Sequence, residues 1–183
     1  IDFNKSIIHI GLPKTASTNM QIYSFPEICK KINFNYQYKN DEMYEKINLH
    51  CNKLQLDYPI NEINLPSKTL ISNENLVGWD PYDYTTFAKK NFETFGDNIN
   101  ILITLREPKS FLSSMYVQRC ISSGHIIPPE KFFLTDKIYS KEINQPKFAV
   151  EKFSYKKIIN SYNRYFSNVE LSTTQLPSSV ALL

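Results

Sequence analysis

Three short segments of this 183-residue chain carry side chains that could bind and activate an anion. The first is Gly11–Thr18 (GLPKTAST), which joins an apolar run to a predicted helix. A helix N-terminus presents unpaired backbone N–H groups and the positive end of the helix dipole, so it attracts anions. Lys14 adds a full positive charge, and the hydroxyls of Thr15, Ser17 and Thr18 add hydrogen-bond donors. The segment therefore predicts a phosphate-binding loop.

The same loop has a second interpretation, as a polar strand-to-helix turn capped by Ser17 or Thr18. It is not the loop of nucleoside triphosphatases, whose pattern has a second Gly, then Lys and Ser or Thr, after four intervening residues. Here Lys14 comes three residues after Gly11, and Ala16 follows it. Local chemistry alone leaves both interpretations open.

The second segment has Arg106 at the end of an apolar run and Ser114 eight residues later. Of the 21 basic residues, the only arginines are Arg106, Arg119 and Arg164. The planar fork of an arginine binds phosphate at two points, which a lysine does not. Arg106 and Ser114 could reach one anion if the turn between them folds back. The alternative is a surface pair between Arg106 and Glu107.

The third segment is Leu70–Leu76 (LISNENL), which places Glu74 just after an apolar run. A carboxylate there could take a proton from an acceptor hydroxyl. Its alternative role is that of a solvated loop carboxylate or a helix cap. His9, inside a predicted strand, and His125, in a loop after Gly124, are weaker candidates for the base.

Apolar runs and helical spacings indicate the elements that position these segments. We predict strands at Ser6–Leu12, Thr69–Ser72, Asn100–Leu105 and Val169–Leu171. We predict helices at Asn19–Ser24 (interrupted by Pro26), around Asp41–Leu54, and at Tyr84–Phe95, Pro108–Gly124 and Glu151–Phe166. The alternation predicts an α/β domain with a central parallel sheet flanked by helices. Such sheets bind ligands beyond the carboxyl ends of their strands, where all three segments lie.

The composition limits the classes of protein that remain. With 42% hydrophobic and 14% aromatic residues, the chain is typical of globular proteins, and its length fits one domain, residues 1–183. A net charge of +3 is too small to predict nucleic acid as the main partner. No apolar stretch approaches the roughly 18 residues of a membrane helix. Many Lys, Asn and Ile residues beside few Arg are typical of an AT-rich genome, and we expect a bacterial, cytoplasmic protein.

The cysteines and histidines do not predict a metal site. Cys29, Cys51 and Cys120 lack metal-ligand or redox spacing, which favours ordinary reduced thiols. The three histidines form no zinc motif. Ser172–Leu183 carries no charge and no clear periodicity. We expect it to be a loosely packed tail, or the point where a longer natural chain has been cut.

Taken together, the first two segments resemble signatures of the sulfotransferases that use 3′-phosphoadenosine-5′-phosphosulfate (PAPS). Pro13–Thr18, with Gln21 behind it, resembles the PKTGTT-type loop of that family. Arg106 and Ser114 resemble its second signature, and the resemblance runs from about Ser6 to Tyr116. It implies a P-loop nucleotide-hydrolase-like fold of the sulfotransferase type.

The resemblance also implies a role for each matching residue. PAPS would be the co-substrate and the desulfated nucleotide PAP the product, without a metal. The residues implied to bind the donor are Pro13, Lys14, Thr15, Ala16, Ser17, Thr18, Arg106 and Ser114. Lys14 and the backbone of the loop would hold the 5′-phosphosulfate, with Lys14 near the oxygen that bridges phosphorus and sulfur. Arg106 and Ser114 would hold the 3′-phosphate. Some branches of the family use Glu as the base and others His, so Glu74 is permitted as a catalytic residue beside Lys14.

We therefore expect transfer of a sulfuryl group to a hydroxyl or amine acceptor, with a carbohydrate or glycolipid as the first guess from the resemblance. One alternative is a non-catalytic or truncated domain that binds a phosphonucleotide. Two departures favour it: Ala16 replaces the usual Gly, and Ser172–Leu183 lacks the later loop that completes the nucleotide pocket in many relatives. Lys14, Arg106 and Ser114 favour the enzyme. A nucleotide kinase is disfavoured by the missing glycine and the shifted lysine.

Overall fold

The computed structural model describes residues 1–12, 14–15, 17–37, 42–56, 63–124, 126–134 and 148–174. Its strands are β1 (Ser6–His9), β2 (Asn35–Gln37), β3 (Thr69–Ser72), β4 (Ile99–Arg106), β5 (Phe133–Leu134), β6 (Phe148–Ala149) and β7 (Val169–Thr174). Its α-helices are α1 (Ser17–Asn19), α2 (Phe25–Ile32), α3 (Glu42–Leu56), α4 (Tyr84–Phe95), α5 (Pro108–Ser123), α6 (Pro129–Phe132) and α7 (Tyr155–Asn163). A π-helical turn, Met20–Ser24, joins α1 to α2, and 3₁₀ turns occupy Glu74–Leu76 and Val150–Lys152.

The centre of the fold is a five-stranded sheet in the order β2-β3-β1-β4-β7, and every pairing in it is parallel. The central strand β1 is fully buried, and its Ile8 lies opposite Ile71 of β3 and Ile101 of β4. Burial on both faces favours the apolar run at the centre of such a strand, and the buried polar ends of β1, Ser6 and His9, are hydrogen-bonded. The predicted α/β architecture, a central parallel sheet flanked by helices, is confirmed.

Helices cover both faces of the sheet. On one face, Ile7 and Leu70 pack against Phe25 and Cys29 of α2, with Phe34 closing that cluster. On the other face, the larger core cluster draws on most of the helices, with Ile47 of α3, Phe87 of α4, Phe111 of α5 and Tyr162 of α7 among its residues. The carboxyl ends of β1, β3 and β4 therefore open between the two helical layers, where the polar segments of the sequence emerge.

Several predicted boundaries coincide with the structure, and others differ for local reasons. The predictions at Thr69–Ser72 and Tyr84–Phe95 coincide with β3 and α4, and α5 ends at Ser123, with Gly124 as its C-cap at a φ of 68°. β1 ends at His9, three residues before the predicted Leu12. β7 continues past Leu171 to Thr174, so the start of the supposed loose tail is strand, and residues 175–183 lie outside the described part of the chain.

The prediction that Pro26 interrupts the first helix was wrong, and one strand of the first crossover was not predicted. Pro26 does not interrupt the helix, because it lies in the first turn of α2, where its missing N–H is not required. The preceding π-helical turn keeps the chain helical from α1 into α2, and the N–H of Phe25 donates to the carbonyl of Met20. β2 was not predicted, because Asn35–Gln37 is a three-residue edge strand without an apolar run.

The last predicted helix is shorter than Glu151–Phe166. Residues 150–152 form a 3₁₀ turn, and α7 begins after Ser154, whose side chain accepts a hydrogen bond from the N–H of Lys157. In the part of the chain described, no helix is both long and apolar enough to cross a membrane.

Candidate functional site

A cavity of about 540 Å³ lies at the carboxyl end of the sheet and brings the three predicted segments together. Its lining residues are Lys14, Ser17, Thr18, Glu74, Trp79, Arg106, Ser114 and Gln118. All of these except Trp79 and Gln118 are candidates from the sequence. Among the described lining residues most side chains are polar; Lys14 and Arg106 carry positive charge, and Glu74 carries a carboxylate.

The loop after β1 holds Lys14 in a left-handed conformation, with a φ of 67°. A residue with a β-carbon adopts this conformation at a cost in free energy, and such strain concentrates at functional sites. The carbonyl of Lys14 accepts a hydrogen bond of 2.8 Å from Nη1 of Arg106. The phosphate-loop candidate is thus joined directly to the arginine of the second segment.

Thr15 has a different position from the one expected for a ligand-binding hydroxyl. It is fully buried, and its Oγ1 donates to the carbonyl of Leu12 at 2.6 Å. The backbone N–H of Thr15 donates to the same carbonyl at 3.1 Å. The side chain therefore closes the turn rather than lining the cavity, whereas Ser17 and Thr18, at the start of α1, do line it. Pro13 and Ala16 lie outside the described residues.

Arg106 connects both halves of the candidate anion site. Its Nη1 donates to the carbonyl of Lys14 at 2.8 Å and to Oγ of Ser114 at 3.0 Å. The turn between β4 and α5 therefore folds back as the spacing required. The alternative surface pair with Glu107 does not occur among the described residues, because the Glu107 carboxylate caps α5 and accepts from the N–H groups of Lys109 and Ser110. These bonds lower the pKa of Glu107.

Nε of Arg106 is buried and has no hydrogen-bond partner. Buried donors in native proteins are nearly always paired, and an unpaired donor on a charged group is especially costly. An anion at Arg106 would supply the acceptor that this nitrogen lacks. The guanidinium, the Ser114 hydroxyl and the Lys14 ammonium therefore have the chemistry of a site for a phosphorylated ligand.

Glu74 begins the 3₁₀ turn after β3 and is partly buried at the cavity wall. The preceding residue, Asn73, fixes this turn, since its side chain accepts from the N–H of Asn75 and donates to Oδ1 of Asn48. Oε2 of Glu74 accepts from Nε2 of Gln21 at 3.4 Å. The carboxylate therefore has a defined position beside the helix that follows the loop.

A chain of hydrogen bonds runs from Gln21 into the interior. Nε2 of Gln21 donates to Oγ of Ser72 at 2.9 Å, and Oγ of Ser72 lies 2.7 Å from Nδ1 of His9. Nε2 of His9 lies 2.7 Å from Oγ1 of Thr104, whose hydroxyl faces the sulfur of Met20. The directions agree if the Ser72 hydroxyl donates to Nδ1 and Nε2–H donates to Thr104, which is the neutral form of His9.

His9 is therefore a structural residue and not a base in this cavity. It is completely buried, and burial lowers its pKa from 6.5 to about 3. Gly11 is required beside it, because a β-carbon at position 11 would lie 2.8 Å from Cε1 of His9. The other candidate histidine, His125, lies outside the described residues.

Because only the unfolded chain binds a proton at His9 between pH 6.5 and about 3, His9 should make the chain less stable as the pH falls through this window. The loss is at most about 1.4 kcal/mol per pH unit. In His9→Gln, urea unfolding at several pH values should give a shallower fall in stability from pH 6 to pH 4. Equal slopes in the two proteins would show that His9 is not held neutral.

Trp79 and Gln118 are the cavity residues that sequence reasoning missed. Gln118 follows Ser114 by four residues on α5, so both lie on one helix face. Nε1 of Trp79 donates to Oδ1 of Asn75 at 3.1 Å, and the guanidinium of Arg119 lies 4.6 Å from the centre of one ring. Two signals were present: Trp79 is the only tryptophan, and Gln118 has helical spacing from Ser114.

In the part of the chain described, no group of three or more His, Cys, Asp or Glu side chains could hold a metal ion. No protein-family model, curated protein or solved structure matches this chain.

Proposed function

We propose that this chain is a PAPS-dependent sulfotransferase that transfers a sulfuryl group to a hydroxyl or amine acceptor. The observation that carries the proposal is the junction of the two signature segments, in which Arg106 bonds both the Lys14 carbonyl and the Ser114 hydroxyl. The strand order supports the finer fold assignment, a P-loop nucleotide-hydrolase-like domain of the sulfotransferase type, because the loop follows the central strand β1.

Each end of the donor would bind a different part of the cavity. The 5′-phosphosulfate binds Lys14, Ser17 and Thr18, where a cation and hydroxyls meet the start of a helix. The 3′-phosphate, which distinguishes PAPS from ordinary adenine nucleotides, binds Arg106 and Ser114. The buried, unpaired Nε of Arg106 supports this assignment, since a doubly charged phosphate is a strong acceptor.

The chemistry requires an in-line arrangement, a base and charge neutralisation. The oxygen of a hydroxyl acceptor forms a bond to sulfur while the bond from sulfur to the bridging phosphate oxygen breaks. Glu74 takes the proton of the acceptor hydroxyl, and Gln21 holds the carboxylate by its second oxygen. Lys14 stabilises the negative charge that develops on the leaving phosphate.

A binding domain without catalytic activity is the second candidate. The observation that favours it is the position of Thr15, whose hydroxyl donates to Leu12 and is not a donor to a ligand. A loop with fewer side-chain donors stabilises a transferring group less. The sulfotransferase and the non-catalytic domain would both bind the nucleotide, but only the sulfotransferase would transfer the sulfuryl group.

The nucleotide site is tested by thermal unfolding of the chain with PAP, AMP and ATP. We expect PAP at a hundred times its dissociation constant to stabilise the fold by about 2.7 kcal/mol. AMP at the same concentration should have a much smaller effect, because it lacks the 3′-phosphate that Arg106 and Ser114 would bind. Stabilisation by ATP without stabilisation by PAP would contradict the proposal and favour a kinase.

A further inference from the structure

Four buried polar side chains form a hydrogen-bonded network behind the turn that carries Glu74. They are His50 of α3, Asn91 and Thr94 of α4, and Tyr162 of α7, and each is at most 3% exposed. The ring of His50 makes an edge-to-face contact with Phe95, which belongs to the main apolar core. Polar groups in such surroundings cost free energy unless they are hydrogen-bonded. A network in which they are bonded fixes one arrangement of the groups that it joins.

The network ends on the carbonyl of Leu76, the last residue of the 3₁₀ turn that begins at Glu74. Nδ2 of Asn91 donates to this carbonyl at 2.8 Å, and the hydroxyl of Tyr162 donates to it at 3.0 Å. Nδ2 of Asn91 also donates to the hydroxyl oxygen of Tyr162 at 2.9 Å. Side chains from two different helices therefore hold one backbone oxygen of the turn, and they also bond each other.

His50 fixes the orientation in which the Asn91 amide makes these bonds. Nε2 of His50 lies 2.8 Å from Oδ1 of Asn91, and its Nδ1 lies 3.3 Å from Oγ1 of Thr94. A neutral ring that donates from Nε2 and accepts at Nδ1 satisfies both contacts. Because Oδ1 of Asn91 is turned towards His50, Nδ2 is turned towards Leu76. The opposite orientation would place two carbonyl oxygens against each other.

The turn is also held at its other end. Asn73 comes directly before the turn, and its Nδ2 donates to Oδ1 of Asn48 on α3 at 3.0 Å. Glu74 therefore lies between two fixed points, Asn73 and Leu76, each bonded to side chains of the helical layer. The helices on this face of the sheet thus determine where the carboxylate stands at the cavity wall.

We propose that Asn91 and Tyr162 are positioning residues, which hold the turn so that the Glu74 carboxylate stays within reach of the acceptor hydroxyl. Neither side chain is among the described residues that line the cavity, and both act through the carbonyl of Leu76. The effect on catalysis rests on the proposed sulfotransferase activity with Glu74 as the base. The hold on the turn does not depend on that activity.

Hydrogen exchange measures the hold on the turn without any substrate. Tyr162→Phe and Asn91→Leu remove the donors to the Leu76 carbonyl and keep side chains of similar size. In the double variant, the amide hydrogens of residues 75–77 should exchange at least about tenfold faster relative to those of β1 and β4, which report unfolding of the whole domain. Tyr162→Phe alone removes one oxygen atom and should give about a threefold change, so the test does not depend on folding of the double variant.

Transfer from labelled PAPS separates the position of the turn from the stability of the fold. The double variant should transfer about 10²-fold more slowly, the effect of a misplacement of about 1 Å, and Tyr162→Phe about three- to tenfold more slowly. PAP affinity and the number of PAP sites per chain should not change. Tyr165→Phe is the matched control, because Tyr165 lies three residues further along the chain and is not part of the network. It should keep the unaltered rate and exchange.

Three results would overturn the inference. Unchanged relative exchange at residues 75–77 would show that the network does not hold the turn, and unchanged transfer despite faster exchange would show that this hold does not matter to the base. Loss of PAP sites in proportion to the rate would assign Asn91 and Tyr162 to stability alone. If the unaltered chain transfers no sulfuryl group, the proposed function fails instead, and hydrogen exchange still decides whether the two residues hold the turn.

Discussion

Replacement of Glu74 with glutamine should lower sulfuryl transfer by about 10²–10⁴-fold, the usual contribution of a general base. Glutamine keeps the size of the side chain and can still bond Gln21, but it cannot take the proton of the acceptor hydroxyl. PAP affinity should change little, because Glu74 faces the acceptor. Transfer is measured with labelled PAPS and an acceptor found by screening hydroxyl and amine compounds, sugars and glycolipids among them.

Glu27→Gln is the matched control for this prediction, because Glu27 is an exposed carboxylate on α2 and does not line the cavity. It should transfer at the unaltered rate. Full activity in Glu74→Gln would reject Glu74 as the base. His9 would remain excluded by its burial and its two hydrogen bonds, and His125 would be the candidate still to test.

Replacement of Lys14 with alanine should lower the transfer rate by about 10²–10³-fold, the effect of removing one preorganised group that stabilises developing charge. PAP affinity should also fall, because Lys14 would bind the 5′-phosphate of the product as well. Alanine shares the penalty of a left-handed φ, so the loop strain is similar in both proteins. The loss then reports the missing ammonium group and not a relaxed backbone.

Lys14→Arg separates the effect of the positive charge at position 14 from the effect of the exact place of the ammonium group, and Lys30→Ala is the control. Lys14→Arg keeps the charge and should retain most of the PAP affinity while losing rate, since a guanidinium cannot occupy the place of the smaller ammonium. Lys30, exposed on α2, lies outside the cavity lining, and its removal should have no effect. Unchanged turnover in Lys14→Ala would show that the leaving phosphate is stabilised elsewhere.

The sheet and the main helices could be predicted because local sequence determines them. Leu70 and Ile71 are the apolar centre of a strand buried on both faces. Gly96 and Gly124 end their helices with a positive φ that few other residues adopt. Pro26 was misjudged because the effect of a proline depends on whether its N–H is needed. Here the π-helical turn before α2 places Pro26 where no N–H is needed, and such a turn leaves no clear pattern in the sequence.

Sequence predicted the residues of the candidate site whose position depends only on the nearest strand or helix. Lys14 and Glu74 lie in the segments that follow β1 and β3. Arg106 ends β4 and Ser114 lies on the next helix, so the parallel sheet brings these residues together. The inward turn of Thr15 could not be predicted, because a hydroxyl bonds a ligand or its own backbone with similar ease. The burial of His9 between Ser72 and Thr104 depends on strand register, which appears only in the folded sheet.

Calorimetry with Arg106→Lys tests whether Arg106 and Ser114 bind the 3′-phosphate of the donor, on which the proposed function depends. Lysine keeps the positive charge but loses the fork that bonds Ser114 and presents Nε. We predict that PAP binds Arg106→Lys more weakly by about 1.5–3 kcal/mol, the value of one charge-assisted hydrogen bond, while AMP affinity and the fold are unchanged. Equal PAP affinity in the two proteins would show that Arg106 does not bind the 3′-phosphate.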